Sequence, residues 1–205
     1  MGGRHEGTLI FLHGLGDTNE GWHATWREEV KIPGLRVLFP QAPRRPVTLN
    51  FGMRMPAWYD IYSLDETDKR EDETGMLASA RHLHDLIEKE TLPKERIFVG
   101  GFSQGAVIAI LAGLSYVHKL GGIISLSGYL PLRNSLASHI KNRPPIWMAH
   151  GTADPVIQPR WSHHSRDKLK ELGVEVQWME YPGMAHGCCP KELRDLKTWL
   201  EHKLK

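Results

Sequence analysis

The sequence predicts an α/β fold, with a mostly parallel central sheet and helices on both of its faces. Three observations carry that prediction. Strand-like and helix-like stretches alternate from one end of the 205 residues to the other, the pattern from which parallel sheets are built. Several strand-like runs are nearly continuous in apolar residues, as strands covered on both faces must be. Finally, the run Gly101-Phe102-Ser103-Gln104-Gly105 falls where a strand gives way to a helix, at the strand end where such sheets meet their ligands.

In chain order, β-rich runs occupy 8–12, 36–39, 96–99, 122–126, 146–149 and 174–180. Between them lie helical stretches at 22–30, 72–91, 104–116, 160–172 and 191–204. The clearest is 72–91, where Met76, Ala80, Leu83 and Ile87 recur every three or four residues and so share one face. In the last stretch Leu193, Leu196, Trp199, Leu200 and Leu204 form the stripe to be buried. The long segment 41–71 is rich in Pro, Arg and Met and reads as irregular. Loops of that length inside a compact domain are usually functional or mobile.

Bulk properties narrow the class. The length suits one domain spanning residues 1–205 with a real core. Apolar residues make up 40% and charged ones 24%, with a formal charge of +2 and both signs interspersed. No basic stripe for nucleic acid and no polybasic membrane patch stands out. The apolar run 106–114 is too short to span a bilayer, and the N-terminus has no signal-peptide pattern. Met1-Gly2 is followed by Glu6 where myristoylation wants Ser or Thr. The two cysteines, Cys188 and Cys189, are adjacent and cannot form a disulfide framework. A cytoplasmic location with reduced thiols is therefore expected.

Ser103 is the candidate nucleophile. A strand-turn-helix context is what Gly-x-Ser-x-Gly requires: the serine stands on a strained turn, and the flanking glycines let neighbouring backbone pass. The following helix aims N–H groups and its positive dipole end at the place where an oxyanion would form. Read alone, the same five residues could be a tight turn with serine as helix N-cap.

The partners of such a serine follow it in the order acid, then histidine. Of 12 histidines, His186 lies in the loop Tyr181-Pro182-Gly183-Met184-Ala185-His186-Gly187, beyond a strand end. His82, His84, His163, His164 and His202 sit on predicted helices or near the C-terminus, as packed or solvated residues would. Asp154 is the acidic residue in the turn after 146–149. Asp before Pro is also a common turn former, and Asp167 and Glu171 stay open as alternatives on a helix. In the reading with Asp154, His186 takes the Ser103 proton and Asp154 fixes the imidazole tautomer. The oxyanion donors would be the backbone N–H groups of Gln104 and, from the loop His13-Gly14-Leu15-Gly16, of Leu15. No helical His-Glu-x-x-His or close Cys/His spacing suggests a metal, and no cofactor is expected.

With these parts assembled, the chain resembles the acyl-protein thioesterase and lysophospholipase-like carboxylesterase family of the α/β-hydrolases. The matching runs are Ile-Phe-Leu-His-Gly-Leu-Gly-Asp-Thr at 10–18, residues 42–50, Met-Pro-Ala-Trp-Tyr-Asp at 55–60, Gly-Gly-Phe-Ser-Gln-Gly at 100–105, residues 126–132, His-Gly-Thr-Ala-Asp-Pro at 150–155 and Tyr-Pro-Gly-Met-Ala-His at 181–186. The resemblance implies an α/β-hydrolase fold and hydrolysis of long-chain thioesters on S-acylated (palmitoylated) proteins, with side activity on acyl-ester lipids or small esters. It implies at most transient contact with a membrane surface. It also implies that the irregular segment helps cover an acyl tunnel, with Leu49, Met53, Met55 and Trp58 as contacts and Tyr129, Ile157 and Met184 as further ones. Only seven residues precede Thr8, so N-terminal edge strands are expected to be reduced or missing. Relatives commonly have Ser where Gly187 stands, and the lipid-bearing N-terminal cysteine of some relatives is absent. A carboxylesterase for short or medium acyl groups is the competing enzyme reading, and a catalytically silent binding module the competing non-enzyme one.

Overall fold

In the computed structural model, which describes residues 5–65, 68 and 70–205, the alternation is realised in order. The chain runs β1 (Gly7–Leu12), α1 (Asn19–Thr25), which continues as a π-helical turn over Trp26–Val30, and β2 (Leu35–Leu38). The hairpin β3 (Arg44–Val47) and β4 (Met53–Pro56) comes next, then α2 (Glu73–Glu88), β5 (Ile97–Phe102) and α3 (Gln104–Ser115). The rest is β6 (Gly122–Leu126), α4 (Leu136–His139), β7 (Ile146–Gly151), α5 (Pro159–Glu171), β8 (Val176–Tyr181) and α6 (Pro190–Lys203).

Among the described residues six strands form one sheet in the order β2-β1-β5-β6-β7-β8, and every neighbouring pair in it is parallel. Successive residues of a strand point to opposite faces, and β1 divides accordingly. Ile10 and Leu12 join the core under α2, α3 and α5, with Met76, Leu83, Ile87, Ile108 and Leu169. Leu9 and Phe11 join the core under α1 and α6, with Trp22, Trp26, Leu196, Trp199 and Leu200. Helix α3 is buried on all sides, which is why its sequence shows no polar stripe.

Helix starts follow their local chemistry. Asp72 caps α2 by accepting from Gly75 N (2.9 Å) and, through its other oxygen, from Asp60 N (2.8 Å). Helices α5 and α6 each begin with proline in the first turn, where the missing N–H is harmless.

The segment 41–71 holds more order than its composition predicts. Strands β3 and β4 pair antiparallel, and the Arg44 and Arg54 guanidiniums each donate to the other's backbone carbonyl, at 2.8 and 2.9 Å. Arg-Arg-Pro-Val has no apolar alternation, so a pattern reading misses a hairpin built on backbone and arginine bonds. Residues 1–4 and Glu66, Thr67 and Lys69 lie outside the described residues, so the N-terminal readings and that part of 41–71 find no counterpart. No helix among the described residues is long and apolar enough to cross a membrane.

Candidate active site

Ser103 occupies the turn between β5 and α3 with φ 53 and ψ −118, a left-handed conformation that costs a non-glycine residue roughly 1–3 kcal/mol. The surrounding glycines explain how the turn fits. A Cβ at Gly101 would run into the backbone of Gly105 and Ala106, and one at Gly105 into the carbonyls of Leu12 and His13. Helix α3 can therefore begin hard against the end of β1 only if position 105 is glycine. Ser103 N–H donates to Leu126 O at 2.8 Å, tying the turn to the end of β6.

The His186 loop follows β8. His186 Nε2 lies 2.9 Å from Ser103 Oγ and His186 Nδ1 2.7 Å from Asp154 Oδ2. Asp154 stands in the turn after β7, 3% exposed. Its other oxygen accepts from Val156 N (2.8 Å) and Ile157 N (2.9 Å), which fixes the carboxylate plane. The carboxylate can only accept from Nδ1, so that nitrogen carries the hydrogen and Nε2 is left as the acceptor facing Oγ. Such a line can pass the hydroxyl proton to the imidazole and compensate the charge that results. Asp167 and Glu171, the helical alternatives, are engaged in exposed ion pairs with Arg166 and Lys168.

The β1–α1 loop lies alongside. A Cβ built at Gly14 would sit 3.6 Å from Ser103 Cβ. Gly16 N–H is used by Pro56 O (2.8 Å) and Asp17 N–H by Gly14 O (3.3 Å), while among the described residues Leu15 N–H and Gln104 N–H have no such backbone acceptor. His13 fixes the loop: its Nε2 accepts from Ala42 N (3.1 Å), so its Nδ1 donates to Gly14 O (2.7 Å). Burial lowers the His13 pKa, which suits that neutral tautomer.

The proposed acyl contacts scatter. Met53 is 60% exposed on the hairpin, and Leu49 sits in the turn that joins its strands. Met55 Sδ lies near Gly16, beside the loop of Leu15. Trp58 is 1% exposed and acts as a tie: its N–H donates to Gln104 Oε1 (2.9 Å), its Nε1–H to His13 O (2.9 Å), and its carbonyl accepts from Ser79 Oγ. Ile157 is buried in the Asp154 turn. Met184 packs into the core on the α6 side. Tyr129 does line a cleft, with Tyr59, Glu71, Met76, Arg133 and Trp161 among its other walls.

The floor of that cleft is polar. Tyr59 and Tyr129 share a 2.6 Å hydrogen bond, and burial pushes Tyr129 up to about 12 and Tyr59 well above the usual phenol range. Burial also raises Glu71, which pairs loosely with Arg133 (3.8 Å). The side chain of Gln104 joins this cleft to the serine turn by donating to Tyr59 O at 2.7 Å. Neither that clamp nor the His13 brace is visible in the sequence, because each joins residues 29 or more positions apart. Cys188 is exposed, and the protein matter around its thiol, with Glu192 nearby, pushes its pKa up to about 11, so it holds little reactive thiolate.

Comparison with known proteins shows the family. Residues 2–204 match the model of the phospholipase/carboxylesterase family. An acyl-protein thioesterase 1 of Neurospora crassa is 42% identical over 98% of this chain and 88% of its own length. One from Schizosaccharomyces pombe is 46% identical over 89% and 84%. The crystal structure of Zea mays acyl-protein thioesterase 2 superposes with a TM-score of 0.89 at 32% identity, covering 99% of this chain and 96% of that one.

Proposed function

The chain belongs to the phospholipase/carboxylesterase family and is a hydrolase of the ester-cleaving class, and we propose that it removes long acyl groups from S-acylated proteins through Ser103, His186 and Asp154. Side activity on acyl-ester lipids and small esters belongs to the same reading. The observation that carries it is the unbroken line Ser103 Oγ–His186–Asp154, with links of 2.9 and 2.7 Å, standing on a left-handed serine between two obligatory glycines. The acyl-protein thioesterases among the relatives supply the substrate class.

The chemistry follows from the groups present. Ser103 Oγ attacks the thioester carbonyl carbon while His186 Nε2 takes its proton, and the N–H groups of Leu15 and Gln104 receive the oxyanion. The C–S bond breaks, and the imidazolium returns the proton to the departing cysteine sulfur. Water then repeats the sequence on the acyl-serine and releases the fatty acid. Asp154 stays ionised throughout and balances the imidazolium.

A carboxylesterase for short or medium acyl groups is favoured by one observation, the polar cleft of Tyr59, Tyr129, Glu71 and Arg133. Hydrolysis of acyl thioesters from C4 to C16 by the purified enzyme separates the two. Activity maintained or rising to C16 is the expected result; a steep fall beyond C6 would replace the depalmitoylating reading with the short-chain one.

A further inference from the structure

His150, at the end of β7, has no part in the reaction as described, yet it touches Asp154. It is 1% exposed. Its Nε2 lies 2.7 Å from Ile157 O and 3.3 Å from Asp154 Oδ2, the oxygen that also meets His186. Its Nδ1 lies 2.7 Å from Ser162 Oγ of α5, which in turn lies 2.6 Å from Gly128 O. A strut therefore runs from the segment after β6, through α5 and β7, to the turn that carries the carboxylate.

The strut can be counted in protons. Both of its ends, Gly128 O and Ile157 O, only accept. Three links between them need three hydrogens, and Ser162 with a neutral imidazole supplies two. The third is present when His150 is an imidazolium. Charge balance points the same way: among the described residues the ion-pairing partners of the buried Asp154 are the two imidazoles, and His186 must be neutral to act as a base. Burial opposes the charge and draws the His150 pKa down, helped by His186 and by His163, which pairs with Glu180 of β8; Ile157 O and Asp154 push it up. The two tendencies disagree, and the short contacts decide it, since a neutral ring leaves one of the three buried contacts as two acceptors facing each other with no hydrogen between them.

We propose that His150 is a positioning residue: as a buried imidazolium held by Ser162, it anchors Asp154 from the side away from Ser103 and sets the carboxylate against His186. The proposal rests on the Ser103–His186–Asp154 reading above. It assigns His150 no contact with substrate. Loss of its charge makes His186 easier to protonate, because a cation beside the pair has gone.

The test uses the whole enzyme and a chromogenic butyrate ester. In His150→Gln, kcat should fall about tenfold with KM little changed, and the acidic limb of kcat/KM against pH should move up by about half a unit to one unit. In wild-type protein carrying 15N-histidine, the resonance lost in His150→Gln should show both ring nitrogens protonated at pH 7. If that variant does not fold, the resonance that shifts in Ser162→Ala identifies the ring instead. A neutral ring at pH 7, or a limb that stays in place, overturns the proposal. Failure of the parent reading looks different: fluorophosphonate would then label Ser103→Ala as well as wild type.

Discussion

Ser103 sits at φ 53 because the β5–α3 connection has room for nothing but backbone on either side, and that strain exposes Oγ to His186. Ser103→Ala and His186→Ala should each abolish nearly all ester hydrolysis, by about 10⁴-fold or more, and the double variant should be little slower than either. Multiplicative losses in the double variant would argue against a single catalytic unit; melting temperatures within a few degrees of wild type show that folding is intact. The serine was legible in the sequence because its signal is local, three fixed positions within five residues. His186 and Asp154 were legible through chain order and position after a strand. The Gln104 side chain and His13 were not, since their partners Trp58, Tyr59 and Ala42 come from the irregular segment.

At the scale of the element, the contact between α3 and β1 depends on a missing side chain. Gly105→Ala should destabilise the protein by about 2–3 kcal/mol or more, because the atoms in the way are the main-chain carbonyls of Leu12 and His13, which cannot rotate aside; urea denaturation measures it. Helix α6 carries a different tension. Glu192 is 0% exposed, and among the described residues its carboxyl oxygens make no well-aligned hydrogen bond; burial raises its pKa to about 8, with a weaker approach of the Cys189 N–H opposing and Asp195 adding to the rise. The folded state then binds this proton more tightly than the unfolded chain does. The contribution of this group to stability is accordingly greatest below the ordinary value of about 4.5 and falls as pH climbs to about 8. At about 1.4 kcal/mol per unit, the effect should reach a few kcal/mol. Glu192→Gln should flatten the dependence of the melting temperature on pH between 5 and 8 and raise it at pH 8. An unchanged slope would contradict the buried carboxyl as its source.

Over the whole molecule, Trp58 joins the hairpin segment to the loop of His13 and Leu15, to α2 and to Gln104, the residue after Ser103. Trp58→Phe keeps most of the ring's packing but leaves His13 O unpaired, a loss of about 1–3 kcal/mol. Activity should fall about tenfold because the Leu15 loop loosens, while the melting point drops by a few degrees; the two are read by ester kinetics and calorimetry. The sequence by itself determined the strand and helix order, the parallel sheet, the serine turn and the order of its partners. Periodicity, turn chemistry and chain direction are all written within short stretches of chain. Tertiary structure alone decided how Trp58, Ile157 and Met184 pack, that Arg44 and Arg54 build a hairpin, and that the Gln104 side chain and His13 are tied to the irregular segment. Those outcomes depend on which face of an element is covered and by what, and no local pattern records it.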